Sequence, residues 1–186
     1  KPLQETYGQE YEDNYNRAVA LGLGKKVRAQ EVWNKIIESQ VETGVPYLLA
    51  KDNVNSKSNH KNIGVVKQSN LCAEIIQYTD EETTAICTLS SMVLKNFIRD
   101  GKFDLKLLYD ETRKVVRGLN KVVDINNYST EKGRKGGMEQ RAIAIGTQGL
   151  ADVFYLMDYI FTSEEARQLN KDIFETIYFA AISESN

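Results

Sequence analysis

Apolar positions switch between a helical and a strand rhythm along this chain. Residues 9–21 are polar, with Tyr11, Tyr15, Ala18 and Val19 at loosely helical spacing, and predict a first helix. From Arg28 the pattern sharpens. Ala29, Val32, Trp33, Ile36, Ile37 and then Gln40 or Val41 keep the three-four rhythm of an amphipathic helix, ended near Gly44 and Pro46. Residues 47–49 predict a short buried strand, and residues 52–62, rich in asparagine, serine and lysine, predict a loop. Residues 63–66, 71–78 and 84–89 read as strands. A turn near Asp80-Glu81-Glu82 would join the last two as a hairpin, drawing Cys72 and Cys87 towards neighbouring lengths of chain.

The last third is helical again. Leu105, Leu108, Thr112, Val115, Leu119 and Val122 mark a long helix, and residues 129–140, rich in glycine and lysine, predict a loop. Residues 141–146 read as a buried strand, followed by a helix over about 148–157. Thr162 and Glu165 have the spacing of a capping box, opening a final helix with Ala166, Leu169, Ile173, Ile177 and Ala180 on one face. Interleaved strands and helices predict an α/β fold. No internal repeat or low-complexity tract is visible.

Composition narrows the class. With 186 residues, 41% of them hydrophobic, the chain can bury the core of one domain spanning residues 1–186. Its net charge of −2, with both signs interspersed, gives no broad footprint for a nucleic acid polymer. No run of about 18 apolar residues predicts a membrane span, and no charged-then-apolar leader supports secretion. Two cysteines fit a reducing, cytoplasmic setting better than a disulfide framework, and with one histidine they cannot assemble a four-ligand zinc site in one chain. The sequence opens on Lys1-Pro2 without a methionine and residues 180–186 are still in helical rhythm, so the expectation is a fragment of a longer polypeptide.

The most informative residues are Asn70, Cys72 and Glu74, at i, i+2 and i+4 of Gln68-Ser69-Asn70-Leu71-Cys72-Ala73-Glu74-Ile75. In an extended backbone they would share one face, with Leu71, Ala73 and Ile75 packed opposite. One strip would then carry a hydrogen-bonding amide, a sulfur able to act as nucleophile or one-electron centre, and an acid/base. The plain alternative is an ordinary strand with a half-buried cysteine.

Other runs carry weaker signals. Lys132-Gly133-Arg134-Lys135-Gly136-Gly137 resembles a phosphate cradle but lacks the Gly-Lys-Ser/Thr ending of a P-loop, and a solvated basic loop is the simpler reading. Gly146-Thr147-Gln148-Gly149 could hold an anion between a strand and a helix start, although close strand–helix packing explains its glycines as well. His60 lies in a polar stretch and reads as a surface residue, and Tyr178 reads as part of a packed helix.

Several separated motifs add to the Asn-Cys-Glu strip. They are Thr43-Gly44-Val45-Pro46-Tyr47, Lys51-Asp52, Lys57-Ser58-Asn59, Ser69-Asn70-Leu71-Cys72-Ala73-Glu74-Ile75, Cys87-Thr88-Leu89-Ser90-Ser91 and Asp124-Ile125-Asn126. Further along come Ile145-Gly146-Thr147-Gln148-Gly149-Leu150-Ala151-Asp152 and Asn170-Lys171-Asp172-Ile173-Phe174-Glu175-Thr176-Ile177-Tyr178. In order and over essentially the whole chain, this series resembles the large, catalytic subunit of class I ribonucleotide reductases, most like the eukaryotic and viral branch.

The resemblance implies a definite fold and chemistry. The fold is part of a ten-stranded α/β barrel, with the cysteine on a finger loop inside it, and this helix-rich chain supplies only some of the strands. The activity is radical reduction of a ribonucleoside diphosphate to the deoxyribonucleotide needed for DNA synthesis. Cys72 is the thiyl radical that takes the 3′ hydrogen, Glu74 the acceptor of the 3′-hydroxyl proton, and Asn70 a hydrogen-bond partner of the sugar hydroxyls. Cys87 is one member of a redox pair whose partner lies outside this chain.

No cofactor is expected to bind this segment. The parent enzyme needs a radical from a metal-containing small subunit, nucleotide effectors (ATP and deoxynucleotides) and a thioredoxin-type reductant, and works as a large-subunit homodimer. The effector region, the substrate-phosphate loop and the carboxy-terminal cysteines are absent here, so the isolated chain is expected to be inactive. Two other readings compete: a non-catalytic scaffold or degenerate copy, against which the four intact residues Asn70, Cys72, Glu74 and Cys87 weigh, and a Cys/His hydrolase, for which His60 has no triad context.

Overall fold

Seven helices and two pairs of short strands arise from these patterns in the computed structural model, which describes residues 1–186. The chain divides into two compact units, Lys1–Glu81 and Glu82–Asn186.

The first unit opens with a 3-10 turn, Leu3–Glu5, followed by α1 (Gly8–Ala20), α2 (Ala29–Thr43) and α3 (Lys51–Lys57). The spans of α1 and α2 follow the apolar rhythm. Gly44 ends α2 in the left-handed region, at φ 79°, where its missing side chain removes the steric penalty. Burial does not follow the rhythm: neither helix buries a residue, and Val41 is 82% exposed. Residues 47–49 form no strand and are about half exposed. The expected loop over residues 52–62 instead contains α3, and no strand forms at residues 63–66 or 71–78.

The second unit is organised by two parallel strands. β1 (Thr88–Val93) pairs with β4 (Ile143–Gln148), Thr88 opposite Ile143 and Val93 opposite Gln148. The expected hairpin between residues 71–78 and 84–89 is therefore absent, because the partner of β1 comes from far along the chain. Between them lie a 3-10 turn at Leu94–Phe97 and a small antiparallel pair, β2 (Ile98–Arg99) and β3 (Lys102–Phe103). Its two-residue turn, Asp100-Gly101, has positive φ at both positions, 50° and 73°, matching the twist of the strands it joins.

Helix α4 (Leu105–Ile125) starts at Asp104, whose carboxylate accepts from the Leu107 N–H at 2.9 Å. It buries Leu108, Thr112, Val116, Leu119 and Val123, so the stripe runs through Val116 and Val123 where Val115 and Val122 were expected. Residues 129–140, expected as a loop, hold α5 (Glu131–Gln140), capped by Thr130 and burying Gly133, Gly136 and Gly137. After β4 come α6 (Leu150–Leu156) and α7 (Glu164–Ser185). The cap of α7 is Ser163, one residue beyond the Thr162 expected; its hydroxyl accepts from the Ala166 N–H at 3.3 Å.

The core of this unit joins α7 to α4, β1 and α6. Ala166, Leu169, Ile173 and Ile177 of α7 meet Leu108, Met92, Leu94, Phe97, Val153 and Phe154. At the far end, Glu184 accepts from Arg113 Nε at 2.6 Å and Arg117 Nη1 at 2.8 Å. The hydrogen bond from Arg113 is the main reason its carboxyl is held below its ordinary value of 4.5. The architecture is helix-rich α/β with one two-stranded parallel sheet, and no barrel closes within this chain. No helix is long and apolar enough to cross a membrane.

Two measurements test this packing. Leu108→Ala should cost about 2–5 kcal/mol in urea unfolding through transfer and cavity terms, whereas Val41→Ala should stay within about 0.5 kcal/mol. A lowered carboxyl contributes stability above its ordinary pKa and loses it as pH falls through the lowered one. The melting-temperature gap between wild type and Glu184→Gln should therefore be open at neutral pH and close on acidification below 4.5. A gap that widens in acid would contradict the clamp.

Candidate functional site

The segment carrying Cys72 is held in place by polar side chains. Helix α3 is short and largely polar, and its side chains replace the backbone partners that neighbouring segments lack. Lys51 Nζ donates to the Gln4 and Thr6 carbonyls, both at 2.8 Å, and Asp52 Oδ1 accepts from the Gly8 N–H at 2.9 Å, at the start of α1. Asn55, only 1% exposed, treats Val66 as one strand treats another. Its Nδ2 donates to the Val66 carbonyl at 2.9 Å and its Oδ1 accepts from the Val66 N–H at 2.8 Å. Both polar atoms of a buried backbone unit are thus satisfied. One residue on, Lys67 pairs with Glu5 at 2.6 Å, and that hydrogen bond chiefly raises the lysine pKa.

Beyond this anchor the chain makes a tight turn. The Asn70 N–H donates to the Ile75 carbonyl at 3.1 Å, the Ile75 N–H donates back to Asn70 Oδ1 at 3.0 Å, and the Ala73 N–H donates to the Asn70 carbonyl at 3.2 Å. Ala73 sits at φ 65°, a left-handed conformation costly for a residue with a Cβ and maintained by these bonds. The expected extended strand is therefore replaced by a closed turn, because Asn70 supplies the partner that another strand would have given. Leu71, expected to pack behind the strip, is 85% exposed. Cys72 and Glu74 are also exposed, on the same turn.

The exit arm has its own support. The Tyr78 N–H donates to His60 Nδ1 at 3.1 Å, so His60 is a half-buried acceptor, and burial lowers its pKa. The Tyr78 ring covers Gly64 so closely that a Cβ there would overlap it. Burial, and then a hydrogen bond to Asp80, raise the Tyr78 pKa. Asn55 and His60 are the supporting residues that pattern reading missed. A polar run shows which groups can bond, while the partners of these two are fixed only by the folded path.

Cys87 lies in the second unit, half-buried, immediately before β1. The Thr84 N–H donates to the Lys132 carbonyl at 3.1 Å and the Thr88 N–H to the Ala142 carbonyl at 3.2 Å, bracketing it. Both cysteines are thiols. Residues 132–137, read as a solvated basic loop rather than a phosphate cradle, are helix, with their glycines buried against protein. Gly149 takes φ 75° at the start of α6, which accounts for that glycine by backbone conformation. No three His, Cys, Asp or Glu side chains are grouped so as to hold a metal ion.

Comparison with known proteins gives a consistent result. Residues 1–186 match the family model of the ribonucleotide reductase barrel domain. The ribonucleoside-diphosphate reductase large subunit of Trypanosoma brucei brucei is 48% identical over 184 residues, covering 98% of this chain and 22% of that protein. The large subunit of Caenorhabditis elegans is 46% identical over 185 residues, 98% of this chain and 24% of its own length. That of vaccinia virus (strain Copenhagen) is 47% identical over 184 residues, again 98% and 24%. The chain thus spans about a quarter of the length of these relatives.

The supports of the turn are testable. Asn55→Ala leaves the buried Val66 N–H and carbonyl without partners and should cost about 1–3 kcal/mol, read by urea unfolding. His60 accepts through a neutral nitrogen, and its pKa is lowered from 6.5. Its contribution is therefore present above pH 6.5 and lost as pH falls towards the lowered value. The protection factor of the Tyr78 amide, exchange corrected for its intrinsic pH dependence, should fall on acidification over that range, and His60→Ala should remove the dependence. An unchanged profile in the variant would count against the bond.

Proposed function

The chain belongs to the ribonucleotide reductase barrel-domain family, and on that premise we propose that it is the part of a ribonucleoside-diphosphate reductase large subunit that carries the radical cysteine. The observation that carries this reading is the closed, exposed turn presenting Asn70, Cys72 and Glu74 together. A sulfur, a carboxylate and an amide are the three kinds of group that radical chemistry on a sugar hydroxyl requires.

The chemistry runs as follows. Direct loss of the 2′-hydroxyl is difficult because the adjacent carbon offers no stable cation. A thiyl radical at Cys72 takes the 3′ hydrogen, forming an S–H bond, breaking a C–H bond and leaving a carbon radical. Glu74 accepts the 3′-hydroxyl proton, and the 2′-hydroxyl leaves as water after gaining a proton. Asn70 Nδ2 can donate to the sugar hydroxyls while Oδ1 stays on the Ile75 N–H, so the amide both shapes the turn and orients the ring.

Reduction needs two electrons and two protons. Cys87 and a second thiol outside this chain supply them and end joined as a disulfide, while C2′ gains hydrogen and one water is released. At the end Cys72 returns its hydrogen to C3′ and is a thiyl radical again.

The same reading assigns the remaining partners. A metal-containing small subunit generates the radical, ATP and deoxynucleotides regulate the parent enzyme, a thioredoxin-type protein restores the thiols, and the large subunit pairs with itself. The finger loop of the family barrel is the Cys72 turn, and both units belong to one catalytic domain. A thiol pair that must be kept reduced fits a cytoplasmic location.

The test is made in the complete polypeptide that carries these residues, with 3′-deuterated substrate and analysis for released base. Cys72→Ser should abolish deoxynucleotide formation, deuterium loss and base release, because serine does not sustain the radical. Cys87→Ser should still remove the 3′ hydrogen but meet no competent reductant, so released base replaces deoxynucleotide. Deoxynucleotide formed by Cys72→Ser, or two equally inert variants, would overturn these roles.

A further inference from the structure

Helix α5 contains three glycines in ten residues, although glycine is among the least helix-favouring residues. Gly133, Gly136 and Gly137 fall at i, i+3 and i+4, on one face of the helix. What they meet differs. Gly137 makes room for the Tyr128 ring, whose hydroxyl donates to the Val123 carbonyl at 2.9 Å. Gly133 and Gly136 make room for the chain leading to Cys87. A Cβ at Gly136 would overlap the Thr84 carbonyl oxygen and come within 3.0 Å of its carbon. A Cβ at Gly133 would come within 3.1 Å of the Thr130 cap hydroxyl and would meet Ile86 Cδ1 more loosely, at 3.4 Å.

From this geometry we infer that the glycine face of α5 sets the position of Cys87, making Gly136 and Gly133 positioning residues for the thiol redox step; this rests on the redox role given to Cys87 above. The segment from Thr84 to Thr88 is laid along one continuous template. Its first contact is the Lys132 carbonyl on α5 and its last the Ala142 carbonyl at the entry to β4. The template is stiffened between these points. Arg141, at φ 47°, joins α5 to β4, and its guanidinium donates to Asn120 Oδ1 at 2.8 Å, the Asn120 carbonyl at 3.0 Å and Asp124 Oδ1 at 2.8 Å. Cys87 follows Ile86 and precedes Thr88, so it cannot move independently of these contacts.

Position matters more for this thiol than general stability does. A disulfide forms only when the two Cα atoms lie about 4.4–6.8 Å apart with matching directions. The overlap at Gly136 involves backbone, which cannot rotate away, so one added methyl must shift this segment and α5 relative to each other, by about 1 Å. Hydrogen abstraction by Cys72 makes no use of this face. Misplacement of Cys87 should therefore change the fate of the sugar radical and leave its formation in place.

The experiment uses the complete polypeptide with its small subunit, 3′-deuterated substrate, and the ratio of deoxynucleotide to released base. This ratio counts only molecules that have turned over, so partial unfolding does not move it. Gly136→Ala should lower the ratio tenfold or more. Gly133→Ala should lower it less, and Ile86→Val, which removes Cδ1, should restore it in the double variant. The 3.1 Å approach of that methyl to the Thr130 hydroxyl is tolerable, since Ala166 stands at the same third helical position after the Ser163 cap of α7. Gly118→Ala on α4, where a Cβ meets nothing within 4 Å, should keep the wild-type ratio. If Gly136→Ala does not fold, Gly133→Ala and its rescue decide.

Wild-type ratios in both glycine variants, or a Gly133→Ala defect that Ile86→Val leaves in place, would overturn the positioning role. A wild-type ratio in Cys87→Ser would instead overturn the redox reading itself. A changed ratio there with normal glycine variants removes only the claim about α5.

Discussion

The parallel pairing of β1 with β4 is the constraint on which the second unit depends. Parallel strands cannot be joined by a tight turn, so the chain between them has to leave the sheet and return. Here the excursion carries α4, whose buried stripe then has a sheet to cover and α7 to meet. Thr112 shows how closely the layers fit: its hydroxyl donates back to the Leu108 carbonyl at 2.7 Å while reaching Met92 Sδ on β1 at 3.4 Å. The ladder also fixes Cys87, because its first paired residue, Thr88, is the next residue in the chain. A two-stranded sheet has two open edges, which closure into a barrel removes. The family match to a barrel domain is consistent with a sheet whose pairing does not end at two strands.

The first unit is held by a different principle. It buries little apolar surface, Val66 being its one buried hydrophobic residue, and so draws cohesion from satisfied polar groups. Asn55 performs the task of a neighbouring strand, Lys51 gathers the carbonyls of the opening turn, and His60 accepts the Tyr78 amide. Each bond is modest alone, but leaving a buried donor or acceptor without a partner costs more than the bond contributes. Such a unit is specific in path without being strongly packed. That suits a turn whose side chains must stay exposed.

The elements legible in the sequence are those whose burial comes from their own periodicity. Helix α7 buries the five residues its spacing singles out, and α4 departs from expectation only by the drift of a 3.6-residue turn, which brings Val116 and Val123 inward. The illegible elements owe their form to partners distant in sequence. Helix α3 reads as a loop because its asparagine and lysine residues are weak evidence for a helix until Val66 and the opening turn occupy them. Helix α5 reads as a loop because glycine disfavours helix, and the reason to keep glycine is the close approach of Thr84 and Tyr128. Residues 71–78 have strand composition and no strand partner. The residues proposed to carry the chemistry, Asn70, Cys72, Glu74 and Cys87, stand out in the sequence, but their supports do not.

The turn at Cys72 also bears on why the chemistry is arranged as proposed. On a strand, residues two apart on one face stand roughly 6.6 Å apart with side chains nearly parallel. Parallel groups are poorly disposed to act on one sugar carbon, where sulfur must reach the 3′ hydrogen and a carboxylate the 3′-hydroxyl. A turn bends the chain between the two positions and so frees their side chains from the parallel arrangement of a strand. That bend places Ala73 in the left-handed region, and the three hydrogen bonds centred on Asn70 offset its cost. The amide that holds the turn is the same group proposed to hold the sugar. Loop geometry and substrate orientation are thereby coupled through one side chain, so a substitution at Asn70 acts on both at once.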